Sequence, residues 1–309
     1  MHRVSIIIPT FNNLELTGRC LARIRANTLP ETYEIVVVDN ASADGTAEFL
    51  KAQEDIRLIL NEENRNFAGA CNQGARASEG EFLVFLNDDT EVHPGWLEPI
   101  VADFEADEGL GAVGVKLLYP NGRIQHAGVV FFDSKFPEHL YRLAPAAAAR
   151  VNKRREFQAV TAACIAIRRD VFIEVGGFDE AFRNGYEDID LCLKIGAAGY
   201  RILYEPDSVV THHESVSTGR HDHGVENLDL LMSRWRNVRS DAYDYLRQDG
   251  FNAIQVLWSE VRHMAYVPEE YGTIPRRVLV LRAVYMLPGR AWSVLGRLAK
   301  KPFGGPRGT

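Results

Sequence analysis

Between Glu81 and Glu91 the sequence reads EFLVFLNDDTE. Phe82 to Leu86 is an apolar run of buried-strand length, and it stops abruptly at Asn87, Asp88, Asp89 and Thr90. Packing gives no reason for carboxylates at that point. Adjacent acids repel one another, and a hard divalent cation held by oxygen ligands would relieve the repulsion. The plainer alternative is a solvated turn capping the helix that begins near Trp96. A second acidic group, Glu187, Asp188 and Asp190, falls on the first turn of a helix, where the dipole favours anions. A third stretch, VVTHHESVSTGRHDHG from Val209 to Gly224, is dense in histidine, the commonest metal ligand.

The elements that must position these groups follow from apolar patterning. Val4 to Ile8, Glu34 to Val38, Ile56 to Leu60 and Phe82 to Leu86 read as strands, with helices over Leu14 to Ala26, Thr46 to Glu54 and Ala68 to Ala77 between them. That alternation predicts a doubly wound, mostly parallel α/β sheet. Polar residues gather where the strands end, at Thr10 and Asn12, Asp39 and Asn40, Asn64 to Asn66, and Asn87 to Asp89. In such a sheet these ends line one crevice. Gly109, Gly111 and Gly114 match the G-x-G-x-x-G pattern of dinucleotide sites. A helix precedes them and a strand follows, the reverse of what that site needs, so the match is accidental.

Further on, strands are expected at Ala112 to Leu118, Gly128 to Phe132, Gln158 to Ile167 and Arg201 to Tyr204, with helices at Asp170 to Val175 and from Glu187. Ser134 to Glu156 is a long connection of the kind that carries function or moves. From Asn227 helical periodicity dominates, and no acid follows Glu270, while Arg and Lys alternate with Val, Leu, Tyr and Trp. Such a tail suits an anionic membrane surface, or equally a helix packed on its own domain or on a second copy.

Bulk composition sets limits. The chain has 309 residues, a formal net charge of −7 and a pI near 5.8, without the basic footprint of a nucleic-acid binder. Cys20, Cys71, Cys164 and Cys192 lie far apart, at no zinc spacing, and read as buried thiols in a reducing compartment. The apolar run at the N-terminus is too short for a signal peptide, and no stretch reaches membrane-spanning length. The expectation is a cytoplasmic protein, free or held peripherally at the cytoplasmic face of a membrane.

Six motifs, in order, resemble the family 2 glycosyltransferases, nucleotide-sugar-dependent enzymes of GT-A fold. They are Ile8-Pro9-Thr10-Phe11-Asn12, the run Val38 to Thr46, Asn66 to Asn72, Asn87-Asp88-Asp89, Gly177 to Glu180 with Glu187-Asp188, and His212 to Ser215. The resemblance covers roughly residues 3 to 220 and is closest to rhamnosyltransferase-like members acting on cell-surface polysaccharides. It implies a nucleotide-sugar pocket of Pro9, Thr10, Asn12, Asp39, Asn40, Arg65, Gly69, Asn72 and Asp88, and a divalent cation, Mn2+ or Mg2+, on Asp89 and His212. It also implies Asp188 as the base that deprotonates the acceptor hydroxyl, with inversion at the anomeric carbon. Asn87 stands where many relatives carry Asp, and an amide is a poorer cation ligand. For Glu187 and Asp190, helix capping is an equal reading.

By the same resemblance, residues 1–224 form the GT-A domain, 1–118 the donor half and 119–224 the acceptor half, with a helical extension over 225–309. The expected partners are a nucleoside-diphosphate sugar and a glycan or lipid-linked glycan acceptor, with the C-terminal helices meeting a membrane or a second subunit. A sugar nucleotidyltransferase is the alternative enzyme, but PTFNNLELTGR lacks the glycine-rich basic loop that cradles a triphosphate. A non-catalytic scaffold of the same fold would have no use for Asp39, Asp88, Asp89 and Asp188 together. A glycosidase needs paired carboxylates and no nucleotide pocket.

Overall fold

The computed structural model describes residues 3–213, 223–256 and 259. The four apolar runs become β1 (Val4–Thr10), β2 (Tyr33–Asp39), β3 (Ile56–Leu60) and β4 (Phe82–Leu86), linked by α1 (Leu14–Asn27), α2 (Thr46–Lys51) and α3 (Asn66–Ala77). Every residue of β1 and β4 is buried, which is why their sequences run apolar without alternation. All four strands are parallel, with β1 between β2 and β4, and β3 at the edge, where it is partly exposed.

Register brings the polar ends together. Thr10 is level with Asp39, Asp39 with Leu60, and Ile7 with Phe85, so the following turns leave the sheet along one edge. The ladder from β1 to β4 stops at Ile7 while that to β2 runs on to Thr10. Pro9, with no N–H to donate, falls just past the end of the β4 ladder, where none is needed.

The rest of the chain extends this sheet on the β4 side. It comprises β5 (Thr90–Val92), α4 (Leu97–Ala106), β6 (Leu110–Leu118), β7 (Ile124–His126), β8 (Val129–Phe131), β9 (Pro137–His139), a 3-10 turn (Ala149–Asn152), β10 (Arg155–Glu156) and β11 (Cys164–Arg168). Then follow α5 (Arg169–Glu174), α6 (Glu187–Ala197), β12 (Arg201–His212), α7 (Gly224–Arg234) and α8 (Ala242–Gln248). The main sheet runs β10-β12-β6-β11-β4-β1-β2-β3, with β11 antiparallel to both neighbours and β12 parallel to β6. The α/β, doubly wound, mostly parallel arrangement predicted from the sequence is therefore present. Gly111 and Gly114 lie within β6, after a helix, and their smallness serves packing: a Cβ on Gly114 would sit 2.6 Å from Val160.

Some boundaries differ from expectation. The strand expected over Gln158 to Ile167 begins only at Cys164, because the preceding residues turn to meet α6 (below). The strand expected over Arg201 to Tyr204 continues to His212, with a register shift between Glu205 and Val209 that accommodates Pro206. β5 and β7 have three residues each, too few to show a period. The Ser134 to Glu156 connection is anchored within its later part, where Asn152 accepts from Lys116 Nζ at 2.6 Å and the Val151 carbonyl accepts from Tyr204 at 2.9 Å.

Packing divides the chain into two units. One contains residues 1–130 and 139–236 and carries the main sheet. The other joins Phe131–Glu138 to the described residues from Asn237 onward. Within it, the buried Asp241 accepts from Phe131 N–H at 2.9 Å and donates its own N–H to the Phe131 carbonyl at 2.9 Å. The basic segment from Arg276 to Lys301, with its expected membrane or subunit contact, lies outside the described residues. Among the described residues no helix is long and apolar enough to cross a membrane.

Gly74 on α3 marks the closest approach of helix to sheet, since a Cβ there would overlap the Ile7 side chain and meet Val38 at 3.3 Å. Gly74→Ala is expected to destabilise the protein by about 1–3 kcal/mol through overpacking. Urea unfolding of the two proteins at matched m-value checks this.

Candidate active site

The turns after β1 and β2 are tied directly to one another. Asn12 donates its N–H to Ser42 Oγ at 2.8 Å and accepts from Ala43 N–H at 2.7 Å. Asn40 donates its N–H to the Thr10 carbonyl at 2.9 Å, while its side-chain oxygen accepts from Asn61 Nδ2 at 2.9 Å and its amide nitrogen donates to the Asn66 carbonyl at 3.3 Å. Asn40 thus joins the ends of three strands. Asp39, 2 % exposed, accepts from Ser42 N–H on Oδ2 at 3.2 Å. Its Oδ1 is buried without a hydrogen-bond partner among the described residues, an acceptor awaiting a donor.

The acid pair is held from both sides. Asp88 Oδ2 accepts from Thr10 Oγ1 at 2.7 Å and from Thr17 Oγ1 at 3.5 Å. Burial, and then the neighbouring Asp89 charge, push the Asp88 carboxyl up to about 7 despite hydrogen bonds from Thr10, Asn13 and Thr17. Asp89 is buried, with Oδ1 3.0 Å from His212 Nε2. His212 reaches it from the end of β12, which pairs antiparallel with β5 so that His212 is level with Thr90. On the other side of the ring, His212 Nδ1 lies 2.7 Å from Gln125 Oε1. The Asn87 amide nitrogen lies 3.3 Å from His212 Nε2, so Asn87 supports the histidine.

Asp188 is tied by its carboxylate to the segment that borders the acid pair. Its Oδ2 accepts from Ala162 N–H at 3.0 Å and its Oδ1 from Ile189 N–H at 2.8 Å. The carbonyl of the following residue, Ala163, accepts from Asn87 N–H at 3.0 Å. One peptide segment therefore carries the distant carboxylate at one end and the acid pair at the other. Glu187 accepts from Gly185 N–H at 2.5 Å, a bond that ties the loop ahead of α6 to its first residue. Asp190, 1 % exposed, instead takes Trp235 Nε1 at 2.9 Å and Arg234 Nη1 at 3.3 Å, fixing α7 to α6.

Several residues expected in the nucleotide pocket have other neighbours. Asn72 binds Phe178 at both backbone groups, donating to its carbonyl at 2.9 Å and accepting from its N–H at 3.0 Å, and donates to Glu180 at 3.0 Å. The Asn72 amide thereby joins α3 to the loop ahead of α6. Gly69 serves the same approach, since a Cβ there would meet Arg65 Cβ at 3.0 Å and Glu180 Oε2 at 3.5 Å. Arg65 is exposed, and its guanidinium makes no ion pair among the described residues. Pro9 is buried within β1.

Sequence reasoning passed over Thr17, Asn184, Asn227 and Gln125. Asn227 grips Arg183 as Asn72 grips Phe178, accepting from its N–H at 3.0 Å and donating to its carbonyl at 2.9 Å. Asn184 accepts from Phe67 N–H at 3.0 Å. The loop these residues hold has positive φ at Asn184 and Tyr186, the latter at 68°, a costly conformation for an aromatic residue immediately before Glu187 and Asp188. Such pairings join residues far apart in the chain and leave no local signal. His126 is fully buried, its Nδ1 2.8 Å from His139 Nδ1 and its Nε2 accepting from Gly128 N–H at 3.3 Å. Burial and the His139 ring hold it well below the usual imidazole range.

Among the described residues no three His, Cys, Asp or Glu side chains gather as a closed metal cage. The residues nevertheless fit a divalent cation. Asp89 and His212 supply one oxygen and one nitrogen 3.0 Å apart beside a second carboxylate, an open arrangement that a diphosphate and water can complete.

Comparison with known proteins agrees with this arrangement. The chain is 37% identical over 250 residues to an uncharacterised protein, y4gI, of Sinorhizobium fredii, covering 75% of this chain and 27% of that one. It is 33% identical over 255 residues to the O-antigen biosynthesis protein RfbC of Myxococcus xanthus, covering 78% and 20%. The chain thus spans about a quarter or less of the length of these two relatives. Among solved structures, a mannosyltransferase of Pyrobaculum calidifontis in complex with GDP-Man and Mn2+ superposes with a TM-score of 0.57 at 22% identity, over 96% of this chain and 84% of that one. The fold is the GT-A fold. The family model described as glycosyl transferase family 2 matches residues 5–176, more than half of the sequence, and the chain belongs to that family.

Proposed function

We propose that this chain transfers a sugar from a nucleoside-diphosphate sugar to a hydroxyl of a glycan or lipid-linked glycan in cell-surface polysaccharide synthesis, with inversion and with a divalent cation. The observation that carries the reading is the peptide at Ala162 and Ala163, which bonds Asp188 on one side and Asn87, beside Asp88 and Asp89, on the other. A base and an acid pair held by one rigid segment suit a displacement in which acceptor and leaving group lie on opposite sides of the anomeric carbon.

Donor binding falls to residues 1–118. The unpartnered Asp39 Oδ1 takes a hydrogen bond from the base or ribose, and the exposed Arg65 faces the diphosphate. Thr10, Asn12 and Asn40 shape the pocket by fixing the turns, Pro9 ends the ladder beside it, and Gly69 and Asn72 draw in the loop that carries Glu180. Asp88 lies toward the donor sugar or ribose. Asp89 and His212 would hold Mn2+ or Mg2+, which when bound neutralises charge developing on the leaving diphosphate.

Residues 119–224 bind the acceptor. Asp188, oriented by the Ala162 and Ile189 N–H groups, accepts the proton of the acceptor hydroxyl as that oxygen bonds to the anomeric carbon and the bond to the diphosphate breaks. Residues 225–309 form the extension. A lipid-linked acceptor would bring the chain to the cytoplasmic face of a membrane, where its basic segment meets anionic lipid.

Three outcomes test this reading. A panel of nucleotide sugars with Mn2+ should contain one that raises the melting temperature, since about 2.7 kcal/mol of stabilisation accompanies ligand at a hundred times its Kd; no shift from any of them would remove the donor assignment. Asp188→Asn should lower kcat by roughly 10²–10⁴-fold while the same donor still protects against unfolding. Turnover measured in excess chelator should vanish and return with Mn2+ or Mg2+, and undiminished turnover there would end the metal assignment.

A further inference from the structure

We propose that Gln125 is a positioning residue that holds the His212 ring with the Nε2 lone pair toward Asp89. The inference rests on the reading of Asp89 and His212 as cation ligands.

The local backbone gives Gln125 its aim. Where β7 pairs antiparallel with β6, His126 is level with Leu117 but Ile124 is level with Leu118. Gln125 is therefore the additional residue of a β-bulge, a device that redirects a side chain beside a site. On the opposite side of β6, the same two residues pair with Val210 and Thr211 of β12, immediately before His212. Gln125 and His212 meet across the end of β6, 4 % and 3 % exposed.

The contact is Gln125 Oε1 to His212 Nδ1, at 2.7 Å. In the proposed arrangement the Gln125 carbonyl oxygen, which only accepts, takes the Nδ1–H of His212 and leaves the Nε2 lone pair toward Asp89 and the Asn87 amide. That Nε2 lies 3.0 Å from Asp89 Oδ1 and 3.3 Å from the Asn87 amide nitrogen, so the ring orientation sets the spacing of the two proposed ligand atoms. Gln125 Nε2 is buried without a hydrogen-bond partner among the described residues. An aliphatic side chain would fill the bulge without that cost, so the bond to His212 is what the amide contributes. Outer contacts of this kind fix the tautomer and orientation of a metal-binding histidine.

Mn2+ titrations followed by electron paramagnetic resonance test the role, using wild type, Gln125→Leu, Gln125→Glu and His212→Ala. Leucine removes the acceptor at similar volume, and glutamate restores one. The expected result is Mn2+ affinity about tenfold or more weaker in Gln125→Leu, close to wild type in Gln125→Glu, and lost in His212→Ala, with melting temperatures of both Gln125 variants near that of wild type. In the Mg2+-loaded wild type, long-range proton–nitrogen NMR should find the His212 proton on Nδ1. Unchanged Mn2+ binding in Gln125→Leu alongside its loss in His212→Ala, or a proton found on Nε2, would overturn the role of Gln125 and leave the ligand assignment standing. Mn2+ binding absent from wild type, or unaffected in His212→Ala, would overturn both.

Discussion

Two carboxylates on consecutive residues at the end of a buried strand repel each other, and the low dielectric around them makes the repulsion larger than it would be in water. Asp88 and Asp89 are in this position, and burial first, then the Asp89 charge, push the Asp88 carboxyl up to about 7. The surroundings answer it on each flank. Thr10 and Thr17 turn hydroxyls to Asp88, and His212 brings a ring nitrogen to Asp89 from the far end of β12. The proposed cation would add to these contacts and neutralise charge at the acid pair.

The second carboxylate centre is held by other means. Asp188 opens α6 after a loop whose backbone includes two left-handed residues, and such strain persists only where the surroundings over-determine it. Asn72 from α3 and Asn227 from α7 each grip one residue of that loop by both N–H and C=O, at Phe178 and Arg183. Arg234 adds an ion pair to Asp179 at 2.7 Å, and Asp190 fastens the end of α7 to α6. Each clamp borrows the hydrogen-bond pattern of a strand pair without a strand. These clamps hold the start of α6 and Asp188 against α3 and α7, which would serve the orientation that the proposed displacement requires.

Much of this was legible in the sequence. β1, β2 and β4 are apolar because parallel strands are covered on both faces, and each ends in polar residues because the chain there leaves the core for the crevice. The three-residue strands β5 and β7 were not legible, since a period of two cannot be seen over so short a run. The full length of β12 was hidden by Glu205-Pro206-Asp207, which interrupts the apolar pattern where the ladder shifts register. Asn72 has the residue type of a donor ligand, and only the arrival of Phe178 beside it gives its amide another task.

The sequence by itself determined the succession of the first four strands and their helices, the carboxylates at the strand ends and the helix that begins at Glu187, because these depend on local periodicity and on residue type. Tertiary structure decided which of those polar groups face one another. The reach of His212 to Asp89, the bond from Ala162 to Asp188 and the turn of Gln125 toward His212 all depend on pairings between segments distant in the chain. Register and bulges fix such pairings, and neither is written in any single stretch of residues.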